Sequence, residues 1–239
     1  LAQAKTRKKT GLFLVEGIHH VGAAVEADWD VETILYAPDL LTSEYARDLL
    51  LASAKKGIRC QSASADILRT LAGKENPQGI LASVHQRATT LADLKDFRHG
   101  VAVVSPQDPG NVGTILRTLD AVGADALILL DGGVDIYHPK VMRASMGALF
   151  WKPIVRTSFP DFLAWSEEKK VLRIGTSARG TKDLSSLNLQ QKNWVLLLGS
   201  EQKGLSPAQV ELCDQLIALP MRGKGTSLNL GVAAGIFLY

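Results

Sequence analysis

Three loops in the second half of the chain combine glycine with side chains that could contact a ligand. These loops span residues 109–113, 198–204 and 219–229. The first leads into a predicted helix that carries Arg117, the second carries Glu201, and the third contains Ser227. Glycine lets the backbone approach a ligand closely, and open α/β sheets bind ligands beyond the carboxyl ends of their strands. We therefore expect these loops to carry the chemistry of the protein.

The helix predicted over residues 111–122 places Arg117 away from its apolar stripe. The stripe has helical spacing and consists of Val112, Ile115, Leu116, Leu119 and Val122. Asn111 is predicted to be the N-cap. Arg117 shares a ridge with Gly113 and Ala121, whose small size leaves room for a ligand beside the guanidinium. The alternative is a solvated arginine on a polar helix face, which is the commoner environment for this residue type.

The other two loops carry Glu201 and Ser227. Glu201 follows the most apolar predicted strand, residues 194–198, where it could contact a ligand or pair with an arginine. It could equally lie in the first turn of a helix. Ser227 is predicted to cap the last helix. Residues 223–226 superficially resemble a phosphate loop, but a Walker A loop needs Ser or Thr directly after Gly-Lys.

Other kinds of site find little support in the residue pattern. The five histidines show no metal-ligand spacing, so no metal site is expected. Ser145 follows Arg143 and Ala144 rather than the glycine spacing of a nucleophile elbow. Cys60 and Cys213 form no CxxC pair, which excludes a disulfide framework or a cysteine zinc site and favours a reducing, cytoplasmic location.

Predicted strands and helices alternate along the chain, which is typical of an α/β fold with a mainly parallel sheet. The predicted strands cover residues 31–37, 58–61, 79–84, 101–104, 124–130, 171–176, 194–198 and 216–219. The predicted helices cover residues 43–56, 64–71, 111–122, 141–149 and 162–169, with two more beginning at residues 206 and 227. The polar segment 87–99 is predicted to be a linker. We therefore expect a small N-terminal α/β domain, residues 1–95, and a second α/β domain, residues 96–239.

The composition is that of an ordinary globular protein. The 239 residues include 27 Lys and Arg against 24 Asp and Glu, a net charge of +3. One dense basic cluster, Lys5, Arg7, Lys8 and Lys9, could neutralise phosphates or could be a solvated tail. No apolar core follows it directly, so no signal peptide is expected. The longest apolar stretch, residues 230–239, is shorter than the roughly 18 residues that a membrane span needs. The last helix of the chain is expected to be cut short.

Taken together, the three loops resemble the three motifs of the SpoU class of SPOUT RNA methyltransferases. The matching residues, in order along the chain, are Asn111, Gly113, Arg117, Ala121, Gly123, Gly199, Glu201, Gly204, Pro220, Met221, Gly223, Ser227, Leu228 and Asn229. A further segment, residues 139–147, also follows the family pattern. The motifs stand in the family's order and spacing and cover most of residues 100–239.

The first half resembles the substrate-binding domain that precedes the catalytic domain in many of these enzymes. Residues 13–17 and 76–80 carry this looser likeness. Members of the family that modify only transfer RNA often lack such a domain. The resemblance therefore favours ribosomal RNA as the substrate and keeps transfer RNA as the alternative.

The resemblance implies transfer of a methyl group from S-adenosylmethionine to a ribose 2′-hydroxyl of RNA. It also implies a C-terminal deep trefoil knot whose loops form the cofactor pocket, a homodimer, and no requirement for a metal. The implied catalytic residues are Asn111, Arg117, Glu201, Ser227 and Asn229. The implied cofactor contacts are Gly199, Leu219, Met221 and Leu228, largely through backbone groups.

Roles for these side chains follow from the resemblance and from their chemistry. The family's arginine is proposed to help activate the hydroxyl. A guanidinium donates protons rather than accepting them, so orienting the ribose and stabilising a developing alkoxide are physically easier roles for Arg117. Ser227 and Asn229 would position the hydroxyl. Glu201 would orient Arg117, either its own or that of the second subunit.

Two other classes of protein stay open. A non-catalytic RNA-binding protein could keep the fold, although the intact motif residues argue against it. A nucleotide-dependent enzyme of the Rossmann type is disfavoured, because Gly223 and Gly225 lack the third glycine of the dinucleotide fingerprint and stand near the wrong end of the chain.

Overall fold

The chain forms two compact units. A computed structural model describes residues 1–72, 78–177, 180, 187, 189 and 192–239. The first unit contains Leu1–Arg87 and Tyr137–Phe150, and the second contains Ala88–Ile136 and Trp151–Tyr239. The units are therefore interleaved along the chain, because a segment from the second half belongs to the first unit. The domain division near residue 95 stays a prediction.

Strands and helices alternate in both units, which confirms the predicted α/β class. The described helices are α1 (Ala4–Thr10), α2 (Ile18–Glu26), α3 (Glu44–Lys55), α4 (Ala65–Ala72), α5 (Pro109–Ala121), α6 (Pro139–Ser145), α7 (Ala148–Trp151), α8 (Phe159–Glu168), α9 (Pro207–Glu211) and α10 (Leu230–Leu238). The described strands are β1 (Leu12–Glu16), β2 (Val31–Tyr36), β3 (Arg59–Ser62), β4 (Ile80–His85), β5 (His99–Val104), β6 (Ala126–Leu130), β7 (Ile154–Thr157), β8 (Leu172–Thr176), β9 (Trp194–Leu198) and β10 (Gln215–Ile217). Within the described ranges, no helix has the length and apolarity needed to cross a bilayer.

The second unit is built on a six-stranded sheet in the order β10-β8-β9-β5-β6-β7. Every neighbouring pair of strands is parallel, as the continuous apolar runs predicted. The central strands β5, β6 and β9 are almost wholly buried. From β5 the chain continues to β6 on one side, whereas β9 lies on the other side. The strand order thus reverses between β5 and β9, and such a switch point is where doubly wound sheets bind ligands.

The first unit contains a mixed four-stranded sheet in the order β1-β4-β2-β3. β4 pairs antiparallel with β1 and with β2, whereas β3 pairs parallel with β2. One face of this sheet buries the side chains of Phe13 and Val15, which alternate with less buried neighbours along β1. This period of two is the pattern expected of a strand with one buried face.

Aromatic side chains from the second half of the chain complete the core of the first unit. The ring of Phe13 lies 4.4 Å from that of Tyr137 and 6.4 Å from that of Phe150, measured between centroids. The indole N–H of Trp29 donates to the Phe150 carbonyl oxygen at 3.0 Å. The Tyr137 hydroxyl accepts from the Arg87 N–H and donates to the Arg87 carbonyl oxygen. A single cut of the chain would therefore separate parts of one core.

Several local predictions need correction. The helix predicted over residues 141–149 is two helices, α6 and α7, because Met146 and Gly147 both adopt positive φ angles, 51° and 95°. The elements α1, β1, α2 and β7 were not anticipated from the sequence. Residues 76 and 77 of the N-terminal motif lie outside the described residues. The knot also stays a prediction.

The close packing of β5 against β6 at Gly100 yields a stability prediction. A Cβ atom at Gly100 would lie 2.5 Å from the Ala126 carbonyl oxygen and 2.9 Å from a ring carbon of Phe97. Because a backbone oxygen in a buried ladder cannot move aside cheaply, Gly100→Ala should lower the free energy of unfolding by about 1–3 kcal/mol. Urea unfolding followed by circular dichroism measures this change.

The matched control is Gly223→Ala. Among the described residues, no heavy atom outside its chain neighbours lies within 4 Å of a Cβ built at Gly223. This variant should stay within about 0.5 kcal/mol of the unaltered protein. Equal stabilities for the two variants would contradict the packing argument.

Candidate active site

A cleft of about 800 Å³ opens beside the carboxyl ends of β8, β9 and β10. Its lining includes every predicted site residue except Arg117: Asn111, Gly199, Glu201, Leu219, Met221, Ser227, Leu228 and Asn229. The parallel sheet explains this convergence, since the carboxyl ends of neighbouring parallel strands meet at one edge. The three loops of the sequence pattern therefore form one site.

The lining also contains residues that the sequence did not single out. Thr176 ends β8 and Ser177 follows it. Ile217 ends β10, and Ala233 and Phe237 belong to α10. Thr176 and Ser177 reach the cleft because β8 neighbours β9 in the sheet. Strand order depends on long-range pairing, so no local sequence signal identified these residues.

The carboxylate of Glu201 binds the start of α5. It accepts hydrogen bonds from the backbone N–H groups of Gln107 at 3.2 Å and Asp108 at 3.3 Å, and from the side-chain amide of Asn111 at 3.3 Å. Glu201 lies in a tight turn in which the Gly204 N–H donates to the Ser200 carbonyl oxygen. The second loop is thereby joined to the first through one charged acceptor.

Asn111 connects the first loop to the third. The residue is 7% exposed, and its side-chain oxygen accepts a hydrogen bond from the side-chain amide of Asn229 at 2.7 Å. The prediction that Asn111 caps its helix is wrong. α5 begins at Pro109, and the cap is Asp108, whose carboxylate accepts from the Gly110 N–H at 2.9 Å. The amide of Asn111 is consequently available for the two loop contacts.

Asn229 caps the last helix, so the prediction that Ser227 does so is also wrong. α10 begins at Leu230, and the side-chain oxygen of Asn229 accepts from the N–H groups of Gly231 at 2.9 Å and Val232 at 3.2 Å. An asparagine oxygen next to the first turn satisfies donors that have no partner within the helix. Ser227 is exposed on the cleft wall, where its hydroxyl can face a ligand.

Gly199 brings the two sides of the second loop together. A Cβ at this position would overlap backbone atoms of Gly204 and Leu205. Only glycine therefore permits this close approach at the end of β9. The adjoining lining is apolar at Leu198 and Ile217. Leu219, Met221 and Leu228 also line the cleft, so the predicted cofactor residues surround one space.

Arg117 stands apart from the other predicted residues. It is exposed on α5, six residues beyond Asn111, which on a helix is a rise of about 9 Å and a rotation of about 240°. Within the part of the chain that the structure describes, the Arg117 side chain has no hydrogen bond or ion pair. The Glu201 carboxylate instead accepts from the backbone N–H groups of Gln107 and Asp108, just before α5. One chain alone therefore does not bring Arg117 and Glu201 together.

Neither cysteine has the character of an activated nucleophile. Burial raises the pKa of Cys213 to about 11 and also raises the pKa of Cys60. Both thiols therefore stay protonated at neutral pH, and protonated thiols are poor nucleophiles. Among the described residues, no three His, Cys, Asp or Glu side chains are placed to hold a metal ion.

A parallel sheet with a ligand cleft at its carboxyl edge defines a doubly wound α/β protein. Residues 98–239 match the model of the SpoU rRNA Methylase family, and residues 1–82 match the MRM3-like substrate binding domain. The chain belongs to the SpoU rRNA methylase family. Its second unit thus falls within the catalytic family match, apart from its first ten residues, 88–97.

Curated relatives and solved structures extend the similarity over the whole chain. The chain is 36% identical to the 23S rRNA (uridine(2479)-2′-O)-methyltransferase of Streptomyces viridochromogenes, over 100% of this chain and 85% of that protein. It is 33% identical to a 23S rRNA (guanosine(2553)-2′-O)-methyltransferase of Bacillus subtilis, over 98% of this chain and 90% of that protein. The crystal structure of an AdoMet-bound rRNA methyltransferase from Sinorhizobium meliloti has a TM-score of 0.89 and 31% identity, and the match covers 99% of this chain and 89% of that one.

The contacts of Asn229 predict a loss of stability when its side chain is removed. Asn229→Ala removes the cap of α10 and the hydrogen bond to Asn111, so it should lower the free energy of unfolding by about 1–2 kcal/mol. Asn229→Asp keeps an oxygen for the cap but cannot donate to Asn111, and it should cost less. Chemical unfolding of the purified variants is the measurement.

Ser227→Ala is the matched control, because Ser227 has no hydrogen bond among the described residues. Its free energy of unfolding should change by less than about 0.5 kcal/mol. If Ser227→Ala proved as destabilising as Asn229→Ala, the assignment of the helix cap would be wrong.

Proposed function

We propose that this protein transfers a methyl group from S-adenosylmethionine to a ribose 2′-hydroxyl of 23S ribosomal RNA. The observation that carries the proposal is the convergence of the three motif loops on one cleft, linked by the contacts of Glu201, Asn111 and Asn229. The family membership and the names of the relatives support the reaction and the RNA. The match of residues 1–82 to a substrate-binding domain supports ribosomal rather than transfer RNA. Such a substrate supports a location in the cytoplasm.

The cleft fits S-adenosylmethionine as cofactor. Its volume of about 800 Å³ lies within the range of roughly 300–1,000 Å³ that is common for small-ligand sites. Gly199 contributes only backbone to the lining, while Leu198, Ile217 and Phe237 offer apolar surface. One solved SpoU methyltransferase structure is a complex with AdoMet. This chain is 35% identical to it with a TM-score of 0.86, and the match covers 100% of this chain and 92% of that one. When bound, the cofactor supplies an electrophilic methyl group on a sulfonium sulfur.

The polar residues of the chain would position the ribose. Ser227 presents a hydroxyl on the cleft wall and can donate to or accept from a ribose oxygen. Asn111 and Asn229 are held by each other, by Glu201 and by α10, so their amides enter the site with fixed orientation. Accurate positioning of a nucleophile supplies a large part of the acceleration of such group transfers.

We further propose that two chains form a homodimer through α10. Val232 and Ile236 of this helix are 50% and 46% exposed, and Tyr239 directly after it is 95% exposed, so this apolar surface has no cover in one chain. α10 packs against α5, the helix that carries Arg117. We place Arg117 at the cleft of the second subunit, because it lies outside the cleft of its own chain.

The reaction itself is tested by incubating the purified protein with deproteinised bacterial 23S rRNA and methyl-labelled S-adenosylmethionine. Label should enter the RNA at one or a few ribose positions. Partial alkaline hydrolysis should show no cleavage after the labelled nucleotide, because cleavage needs a free 2′-hydroxyl, and this locates the methyl group at the 2′-oxygen. Calorimetry should show binding of S-adenosylmethionine with NAD and ATP inert. RNA binding without any methyl transfer would instead favour a non-catalytic RNA-binding protein, and modification of tRNA alone would exclude the ribosomal assignment.

Substitution of Arg117 tests its proposed role. Arg117→Ala should leave the fold and cofactor affinity intact but reduce single-turnover methylation about a hundredfold, which is about 2.7 kcal/mol of transition-state stabilisation. Arg117→Lys keeps the charge but loses the planar pair of donors, so it should not restore the rate. Unchanged turnover in both variants would mean that Arg117 is only a solvated helix residue.

Mixed dimers distinguish action within one chain from action across the interface. An Arg117→Ala chain keeps an intact cleft, whereas an Asn111→Ala chain keeps the arginine. Co-expressed from one cell with different affinity tags, their heterodimer should regain one working site if Arg117 acts across the interface. Light scattering of the unaltered protein should give about twice the 25.7 kDa chain mass. A monomer with full activity would exclude both statements.

A further inference from the structure

Three exposed cations stand at the rim of the candidate active site. They are Lys203 in the second loop and Arg222 and Lys224 in the third. Residues one or two positions away along the chain line the cleft: Gln202, Gly204, Met221 and Thr226. We name these three residues the cationic rim.

Local geometry places Lys203 at the tip of its turn. The Lys203 N–H donates to the Ser200 hydroxyl oxygen at 3.3 Å, and the next N–H, of Gly204, donates to the Ser200 carbonyl oxygen at 2.9 Å. Gly204 has a φ of 66°, which lets the chain reverse immediately afterwards. The side chain of Lys203 is consequently exposed beside the opening of the cleft.

The other two cations lie at the tip of the third loop. The loop folds back on itself, since a Cβ built at Gly225 would lie 3.9 Å from the terminal methyl of Met221. Among the described residues, nothing outside its chain neighbours approaches within 4 Å of a Cβ built at Gly223, between the two cations. Arg222 and Lys224, on either side of this open position, are both exposed.

The charges of the cationic rim have no partner among the described residues. The side chains of Lys203, Arg222 and Lys224 form no hydrogen bond or ion pair in that part of the chain. Two carboxylates of the cleft lining, Glu201 and Asp108, accept hydrogen bonds at the start of α5 instead. Cations elsewhere do have partners: Lys56 pairs with Asp28 and Arg173 pairs with Asp214.

We infer that the cationic rim binds phosphates of the RNA strand on both sides of the nucleotide that enters the cleft. The inference rests on the proposed function and adds the residues that hold the substrate at the site. Unpaired cations on two separate loops suit a chain of regularly spaced phosphates better than a single anion. Such contacts release counterions and carry no base specificity, so they would fix the register of the strand.

The test removes the three charges together. A Lys203→Gln, Arg222→Gln, Lys224→Gln variant is compared with a Lys169→Gln, Lys170→Gln, Lys192→Gln control. The control makes the same change in net charge in the same unit, at exposed lysines that precede β8 and β9 and so lie at the opposite edge of the sheet. Binding of deproteinised 23S rRNA is measured by filter retention over a series of salt concentrations, and cofactor binding by calorimetry.

The rim variant should weaken RNA binding by about tenfold or more and reduce the slope of log affinity against log salt by about 2 to 3, since each lost phosphate contact contributes about 0.7 to 0.9. In methylation assays the effect should fall on the KM for RNA more than on kcat. Affinity for S-adenosylmethionine should stay the same in both variants, which shows that the cleft is intact.

An RNA affinity and salt slope equal to those of the control would overturn the inference while leaving the proposed function standing. Loss of cofactor binding in the rim variant would also overturn it, because the residues would then support the cleft rather than the RNA. A protein that in its unaltered form neither binds nor methylates 23S rRNA would instead refute the proposed function, and the rim assignment with it.

Discussion

The hydrogen bonds of Glu201 are the interaction on which the site depends. Its carboxylate accepts from two backbone N–H groups at the start of α5 and from the amide of Asn111, which in turn accepts from Asn229. Hydrogen bonds to a charged acceptor are worth about 1.5–3 kcal/mol each, and a buried amide left unpaired costs a similar amount. The three loops are therefore stabilised as one network, because loss of either Glu201 or Asn229 leaves one polar group of the buried Asn111 side chain unpaired.

This network is possible only because of the strand order. β5 and β9 are far apart in the sequence but adjacent and parallel in the sheet, with Val103 opposite Leu198. Their carboxyl ends consequently meet, and the loops that follow them deliver Asn111 and Glu201 to the same place. The buried apolar strands hold the loops in position, because a strand with buried faces cannot shift its pairing register without moving its apolar side chains out of the core.

The first unit contains residues from both halves of the chain, so a truncation between the halves would divide it. Tyr137 and Phe150, from the second half of the chain, pack with Phe13 and Trp29 of the first half. A fragment that ends near residue 95 would lose part of its aromatic core, and the remaining fragment would expose those rings to water. The effect of the N-terminal unit on RNA binding is therefore better studied by point substitution than by truncation.

The amino-acid sequence by itself determined the α/β class, the parallel character of the sheet and the site residues that line the cleft, all of those predicted except Arg117. Continuous apolar strands are properties of short segments, and so are local helix caps such as those of Ser43 and Ser206. Tertiary structure alone decided which polar residue does what at the site. Asn111 and Ser227 could each cap a helix on local grounds, but Asp108 and Asn229 do so, and the exposed position of Arg117 outside the cleft followed from helix rotation and strand order. The physical reason is that a polar side chain chooses among competing partners, and the partners of Asn111 come from loops about a hundred residues away, which only the folded sheet brings within hydrogen-bonding distance.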